Sequence, residues 1–119
     1  MARVVKLEDA RDLGLPGRVS REILSASEGV APVTLRYVEI PVPAPDDPPR
    51  APHSHSDTEE CIHVLSGQGL FCSDDSETPL ESGDTVLVPR EQLHVTLNTG
   101  DRPLVLLCFF PVAELDKHG

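Results

Sequence analysis

Hydrophobic positions along this chain alternate with polar ones far more often than they recur at helical spacing. The run Val33-Thr34-Leu35-Arg36-Tyr37-Val38-Glu39-Ile40 alternates throughout and is rich in β-branched residues, which predicts a strand. Glu60 to Leu65, Leu70 to Cys72, Thr85 to Val88 and His94 to Asn98 read as further short strands. They are separated by turns at Ser66-Gly67-Gln68-Gly69, at the acidic Asp74-Asp75-Ser76-Glu77 and at Thr99-Gly100-Asp101. Helical signals are weak and confined to the first thirty residues, around Leu7 to Leu13 and Ser20 to Ser25. The second of these reads equally well as a strand, Val19 to Leu24. Many short strands, frequent Gly/Pro turns and no βαβ rhythm predict an all-β closed barrel or jelly roll.

Two segments depart from alternation. Residues 41–52 are proline-rich, beginning Pro41-Val42-Pro43-Ala44-Pro45, and cannot form a central strand; a stiff extended loop is expected, either covering a site or standing out in solvent. Leu104-Val105-Leu106-Leu107-Cys108-Phe109-Phe110 is continuously apolar, which implies burial on both faces. A chain of 119 residues has little structure to spare for covering the outside of a barrel, so a second subunit is expected there, as a homodimer.

That length also favours a single domain over 1–119. Twenty Asp and Glu against ten Lys and Arg give a formal charge of −10, which argues against nucleic acid and anionic lipid as partners. No stretch approaches a transmembrane length, and Met1 to Lys6 lacks a signal-peptide apolar segment, so cytoplasmic residence is expected. Cys61, Cys72 and Cys108 form no CxxC pair and predict no disulfide framework; Cys61 and Cys108 read as small buried hydrophobes.

The chemistry concentrates in Pro52-His53-Ser54-His55-Ser56-Asp57-Thr58-Glu59-Glu60 and in His94. Two histidines at i and i+2 on extended chain share a face, about 6.5 Å apart, and can grip one ion; on a helix they would diverge by roughly 200 degrees. Glu60 shares the parity of Ile62 and Val64, the expected inward face, where a carboxylate is costly unless paired or bound to metal. Glu59 and His63 have the opposite parity and are expected outside. Imidazole nitrogens with one carboxylate suit Fe(II), Mn, Ni or Zn.

Taken together these positions resemble the cupin superfamily, whose first motif runs Gly-x5-His-x-His-x3/4-Glu-x6-Gly and whose second runs Gly-x5-Pro-x-Gly-x2-His-x3-Asn. His53, His55, Glu60 and Gly67 meet the first over 53–67; Gly83, Pro89, His94 and Asn98 meet the second over 83–98. Asp47 stands in place of the leading Gly of the first motif, and Glu91 in place of the internal Gly of the second. The resemblance implies a double-stranded β-helix with His53, His55, Glu60 and His94 as ligands of one divalent transition metal per subunit. It also implies that Asn98 supports the barrel, and it agrees with a dimer.

Three neutral imidazoles and a carboxylate leave a divalent ion near +1 with two octahedral positions open. That suits Fe(II) and O₂ chemistry on a chelating substrate, and equally Lewis-acid chemistry. The expected function is a metal-dependent enzyme acting on a small oxygen-rich molecule such as a carboxylate or dicarbonyl. An Fe(II) dioxygenase comes first; a non-redox lyase, decarboxylase or isomerase, or a non-catalytic binding protein, is the alternative. Arg36, Arg50 and Arg90 are the candidate anion anchors, with Arg36 expected to face outward in a salt bridge. Glu59 and Glu91 are the candidate general bases.

Overall fold

A computed structural model describes residues 4–25, 32–74, 76–113 and 115. Met1 to Arg3 and Asp75, which entered the readings of the N-terminus and the acidic turn, lie outside the described residues. Among the described residues nine strands form two antiparallel sheets: β1 (Arg11–Asp12), β2 (Val19–Leu24), β3 (Thr34–Ile40), β4 (Glu60–Ser66), β5 (Gln68–Ser73), β6 (Ser76–Glu81), β7 (Thr85–Val88), β8 (His94–Asn98) and β9 (Leu104–Phe110). The larger sheet has the order β1-β2-β3-β9-β4-β7 and the smaller β6-β5-β8. This is the jelly-roll, double-stranded β-helix arrangement.

The ambiguous N-terminal run is a strand, β2, and the Leu7 region supplies only a single 3-10 turn, Leu7–Asp9. A strand absent from the sequence reading is β6, which is almost wholly exposed and carries Pro79. Proline is tolerated there because β6 is an edge strand, paired on one side with β5.

Period-2 alternation decides what faces the interior. In β3 the buried positions are Thr34, Arg36, Val38 and Ile40; in β4 they are Glu60, Ile62 and Val64. In β9 they are Leu104, Leu106, Cys108 and Phe110, with Leu104 and Phe110 no more than 1 % exposed. The apolar ones among these, with Phe71, Leu80 and Val88, make one core between the sheets. Burying a side chain the size of Phe110 contributes about 2–3 kcal/mol. Arg36 is therefore an inward residue, contrary to the outward placement expected. Its guanidinium is 3.1 Å from Glu22 Oε1 on the neighbouring β2, and that buried partner makes an inward arginine tenable.

The outward face of the larger sheet is left open. Leu87, Cys61, Phe109 and Leu35 follow one another across β7, β4, β9 and β3 in register. Leu87 is 67 % exposed and Phe109 37 %. Cys61, expected to be buried, is half-buried on this face, whereas Cys108 is buried as expected.

Gly67, at the β4–β5 turn, has φ +93°, and a Cβ there would lie 2.7 Å from the Pro103 carbonyl oxygen. Only glycine fits, which is why that motif position carries it. Asn98 donates from Nδ2 to the carbonyls of Ile40 and Arg102 and accepts from Gly100 N–H, tying β8 to the loops after β3 and β8. This is the barrel-supporting role expected of it.

Candidate metal centre

The segment carrying His53 and His55 runs beside the start of β8. His53 and His94 exchange both backbone hydrogen bonds, each 2.8 Å, as an isolated antiparallel bridge. One residue pair thus fixes the main-chain separation of two candidate ligands. A further bond, Glu91 N–H to the His55 carbonyl at 2.7 Å, straps the other histidine to the turn before β8. Glu91 makes that turn with φ +66°, so it keeps the left-handed conformation that glycine would normally supply. The fourth residue, Glu60, opens β4 opposite Val88 of β7 and points inward.

The four side chains expected to act together do converge. One ligand atom from each of His53, His55, Glu60 and His94 lies within 4.8 Å of the others. His55 Nε2 is 3.3 Å and His94 Nε2 3.2 Å from the same oxygen, Glu60 Oε1. His94 Nδ1 is 2.8 Å from the Gln92 carbonyl, which can only accept, so Nδ1 carries the proton and neutral His94 presents an Nε2 lone pair to Glu60. Two acceptors then face each other, an arrangement that calls for a cation or a proton between them. His55 Nε2 is buried, poorly aligned on Glu60, and has no hydrogen-bond partner among the described residues. Orphaned buried nitrogens beside an ionised carboxylate are what a metal ion would satisfy.

Electrostatics follow from this packing. Burial alone would raise the Glu60 carboxyl, but His55 and His94 overcome that and hold it at about 2. Burial and the neighbouring His94 push His53 down to about 4. His94 is raised: burial opposes its charged form, but the bonds to Glu60 and the Gln92 carbonyl outweigh burial. A deprotonated carboxylate and a neutral His53 are the forms that ligate metal.

Around the cluster, Phe71 stacks on His94 with ring centroids 5.7 Å apart and His55 meets Phe110 edge-on at 5.2 Å. Cys108 lies beside Glu60, its thiol hydrogen-bonded to the carboxylate and kept protonated, first by burial and then by that negative charge. A cavity of about 460 Å³, open mouth included, leads from solvent to His53, Glu60 and His94. Its walls include Val38, Ile40, Ile62, Thr96, Leu106 and Phe110, and three arginines, Arg18, Arg36 and Arg50. Ile62 and Thr96 line it, while Val64 and Val88 belong to the core behind.

Several expected roles do not find a place here. Glu59 and Glu91 are exposed and neither lines the cavity, so neither is positioned as a general base. Arg90 is exposed and outside the cavity as well. His63 points outward to Thr85 Oγ1 at 2.8 Å. Conversely, Arg18 was not anticipated: it sits in an irregular turn, Gly17-Arg18, where no periodicity assigns a face.

The sheet order and motif geometry agree with a family comparison: the model for the cupin domain matches residues 37–110. The chain belongs to the cupin family. Among curated proteins, this cupin is 36% identical over 56 residues to an uncharacterised protein of Methanocaldococcus jannaschii, covering 47% of this chain and 45% of that one. It is 38% identical over 72 residues to a glucose-6-phosphate isomerase of Pyrococcus abyssi, covering 56% of this chain and 38% of the isomerase. The chain thus spans less than half the length of these relatives. Among solved structures it resembles one described as a predicted oxalate decarboxylase from Thermotoga maritima, with a TM-score of 0.75 at 17% identity, covering 92% of this chain and 99% of that one. That likeness is one of fold. Among the described residues, no helix is long and apolar enough to cross a membrane.

Proposed function

We propose that His53, His55, Glu60 and His94 hold one divalent first-row transition ion and that the cupin is an enzyme acting through it on a small oxygen-rich organic molecule, by isomerase, lyase or decarboxylase chemistry. The observation carrying this reading is the buried His55 Nε2 without a partner beside an ionised, buried Glu60. When bound, the ion would act as a Lewis acid toward a substrate carbonyl, hydroxyl or carboxylate oxygen. His94 would be held in its ligating tautomer by Gln92, and Glu60 would neutralise one of the ion's two charges. The apolar walls at Ile62, Leu106 and Phe110 would limit water at the reacting end. Relatives named as an isomerase and a decarboxylase support this class more than the Fe(II) dioxygenase placed first from the ligand set, and they do not select among iron, manganese, nickel and zinc.

Two further parts belong to the same reading. The protein is a homodimer through the outward face of β3, β9, β4 and β7. On a chain of charge −10, the outward positions Leu35, Tyr37, Val105, Leu107, Phe109, Cys61, His63, Thr85 and Leu87 carry no carboxylate, and Glu39, between Val19 and Val105, is the acidic residue at one end of the face. Cytoplasmic residence accords with three free cysteines among the described residues.

Elemental analysis of untagged protein purified without added metal is the test. About one equivalent of manganese, nickel, zinc or iron, lost in His94→Ala, supports the centre. Turnover screens would then use hydroxy acids, keto acids and sugar phosphates, read by proton NMR in D₂O, with O₂ uptake monitored in parallel. Metal content below about a tenth of an equivalent, not restored by reconstitution, overturns the proposal.

A further inference from the structure

The cavity joins the candidate metal centre to an unusual wall. Arg18, Arg36 and Arg50 arrive from three separate places: the turn before β2, the middle of β3, and the end of the proline-rich loop. Arg36 is paired with Glu22. Arg18 and Arg50 are different. Each is half-buried, and among the described residues neither forms an ion pair. Arg18 donates from one terminal nitrogen to the Pro16 carbonyl at 2.8 Å, and Arg50 from one to the Thr96 carbonyl. A guanidinium offers five N–H donors, so most of each fork remains available. Burial disfavours the charge of both. Arg36 adds repulsion at Arg18, and Arg18 adds repulsion at Arg50.

A protein with twice as many acidic as basic residues could easily have placed a carboxylate between them. Instead, three guanidiniums and the single carboxylate of Glu60 line the cavity, while Glu22, outside it, is shared between Arg36 and Arg11; the wall carries two positive charges in excess before any metal ion is counted. With a divalent ion the excess rises to four. Like charges held together at a half-buried site cost stability, and the usual compensation is a bound anion that accepts from both forks.

We infer that Arg18 and Arg50 form an anion subsite at the cavity mouth, and that the substrate is a small organic dianion: one oxygen-bearing end faces the histidine–glutamate cluster, and a terminal carboxylate or phosphate lies in the arginine pair. This inference rests on the proposed metal centre for the inner end of the ligand only. The enclosed part of the cavity is only about 40 Å³, below the usual range of ligand sites, which leaves room for a compact acid and not for a polymer or a nucleotide. Thr96 makes the geometry economical. It lies two residues beyond His94 on the same face of β8, and its carbonyl anchors Arg50, so one strand sets both ends of the site.

The experiment is calorimetric titration of the full chain, Mn(II)-loaded and metal-free, with malonate and succinate, with glycerol 1-phosphate and dihydroxyacetone phosphate, and with the monoanions acetate and glycolate. Metal content is measured on the same samples. Dianions in one of the two series should bind about ten- to a hundredfold tighter than the monoanions. The series that does so identifies carboxylate or phosphate as the outer group. Arg18→Gln and Arg50→Gln should each remove about tenfold of that preference without changing manganese content, and Arg90→Gln, outside the cavity, should not. Among the described residues Arg18 bonds to a turn carbonyl alone, so Arg18→Gln tests the subsite even if Arg50→Gln impairs folding. Dianions binding no tighter than monoanions, or a preference that survives Arg18→Gln in full, overturns the inference. A dianion preference in protein that never holds metal would retain the subsite and remove the metal centre. One manganese per chain with no dianion preference would do the reverse.

Discussion

Replacing Glu60 by glutamine separates the metal-binding role proposed for the cluster from its structural one. The change keeps the shape of the side chain and removes one anionic donor from the four. A charge-assisted contact of this kind is worth about 1.5–3 kcal/mol, or roughly ten- to a hundredfold in ion affinity. Suppose the ion is supplied at about one hundred times its wild-type Kd; binding then adds about 2.7 kcal/mol to stability. For 119 residues, an unfolding entropy of about 2.1 cal/mol/K per residue gives about 0.25 kcal/mol/K, so wild-type Tm should rise by about 11 K. After a hundredfold loss the same ion concentration sits near Kd, contributing about 0.4 kcal/mol and a shift of about 2 K. Without metal the sign differs. In Glu60→Gln the new side-chain amide can donate to His55 Nε2, which has no partner, and a buried charge is gone. In chelator at about pH 9, Glu60→Gln should therefore melt no lower than wild type. Circular-dichroism melts with and without Mn(II), Ni(II) or Zn(II) measure both quantities. An ion-induced shift as large in Glu60→Gln as in wild type would refute the assignment of Glu60. So would a metal-free variant that melts several degrees lower.

The remaining predictions concern the frame around the site. Glu91→Gly releases a non-glycine residue from φ +66°, partly offset by glycine's greater freedom in the unfolded chain; chemical denaturation should show a gain of up to about 1 kcal/mol, and a loss would mean that the Glu91 side chain contributes contacts of its own. Asn98→Asp turns a double donor toward two carbonyls into an acceptor; it should cost about 3 kcal/mol or more, exceeding Asn98→Ser in the same measurement. Metal-free stability should peak near neutrality. Glu60, with a folded value of about 2, contributes from about 4.5 up to the pH at which His94 loses its proton, and loses that contribution as pH falls below about 4.5; His53, lowered to about 4, acts in the same sense as pH drops from about 6.5. His94, raised, contributes fully below about 6.5 and loses it as pH rises through its folded value, so Glu60→Gln should flatten the alkaline side of the melting profile. Leu87→Glu, on the most exposed apolar residue of the outer face at its β7 edge, should convert a dimer to a monomer in light scattering after size exclusion; a wild-type chain that already runs as a monomer would remove the interface.

The four-residue cluster was legible in the sequence because its members stand at spacings that one dimension can record. His53 and His55 belong to one short extended segment, Glu60 opens the next strand, and the parity of Ile62 and Val64 tells which way it points. The opposite wall has no such ruler. In Val33 to Ile40 both faces carry apolar residues, Leu35 and Tyr37 against Val38 and Ile40, so alternation established a strand but not its orientation. What settles Arg36 is Glu22, fourteen residues earlier and adjacent only through the pairing of β2 with β3. Arg18 was invisible for a related reason: a residue in a Gly-containing turn has no parity, and its arrival at the cavity depends on how that turn meets the proline-rich loop. β6 escaped notice because an exposed edge strand is under no pressure to be apolar, and Pro79 reads as a breaker until the unpaired edge is known. The division has a consequence for function. The half of the site readable from spacing is the half that cupins share, and it constrains the ion more than the reaction. Substrate choice has to come from groups such as Arg18 and Arg50, whose positions follow from long-range register, so in this fold the chemistry can be recognised from motifs well before its object can.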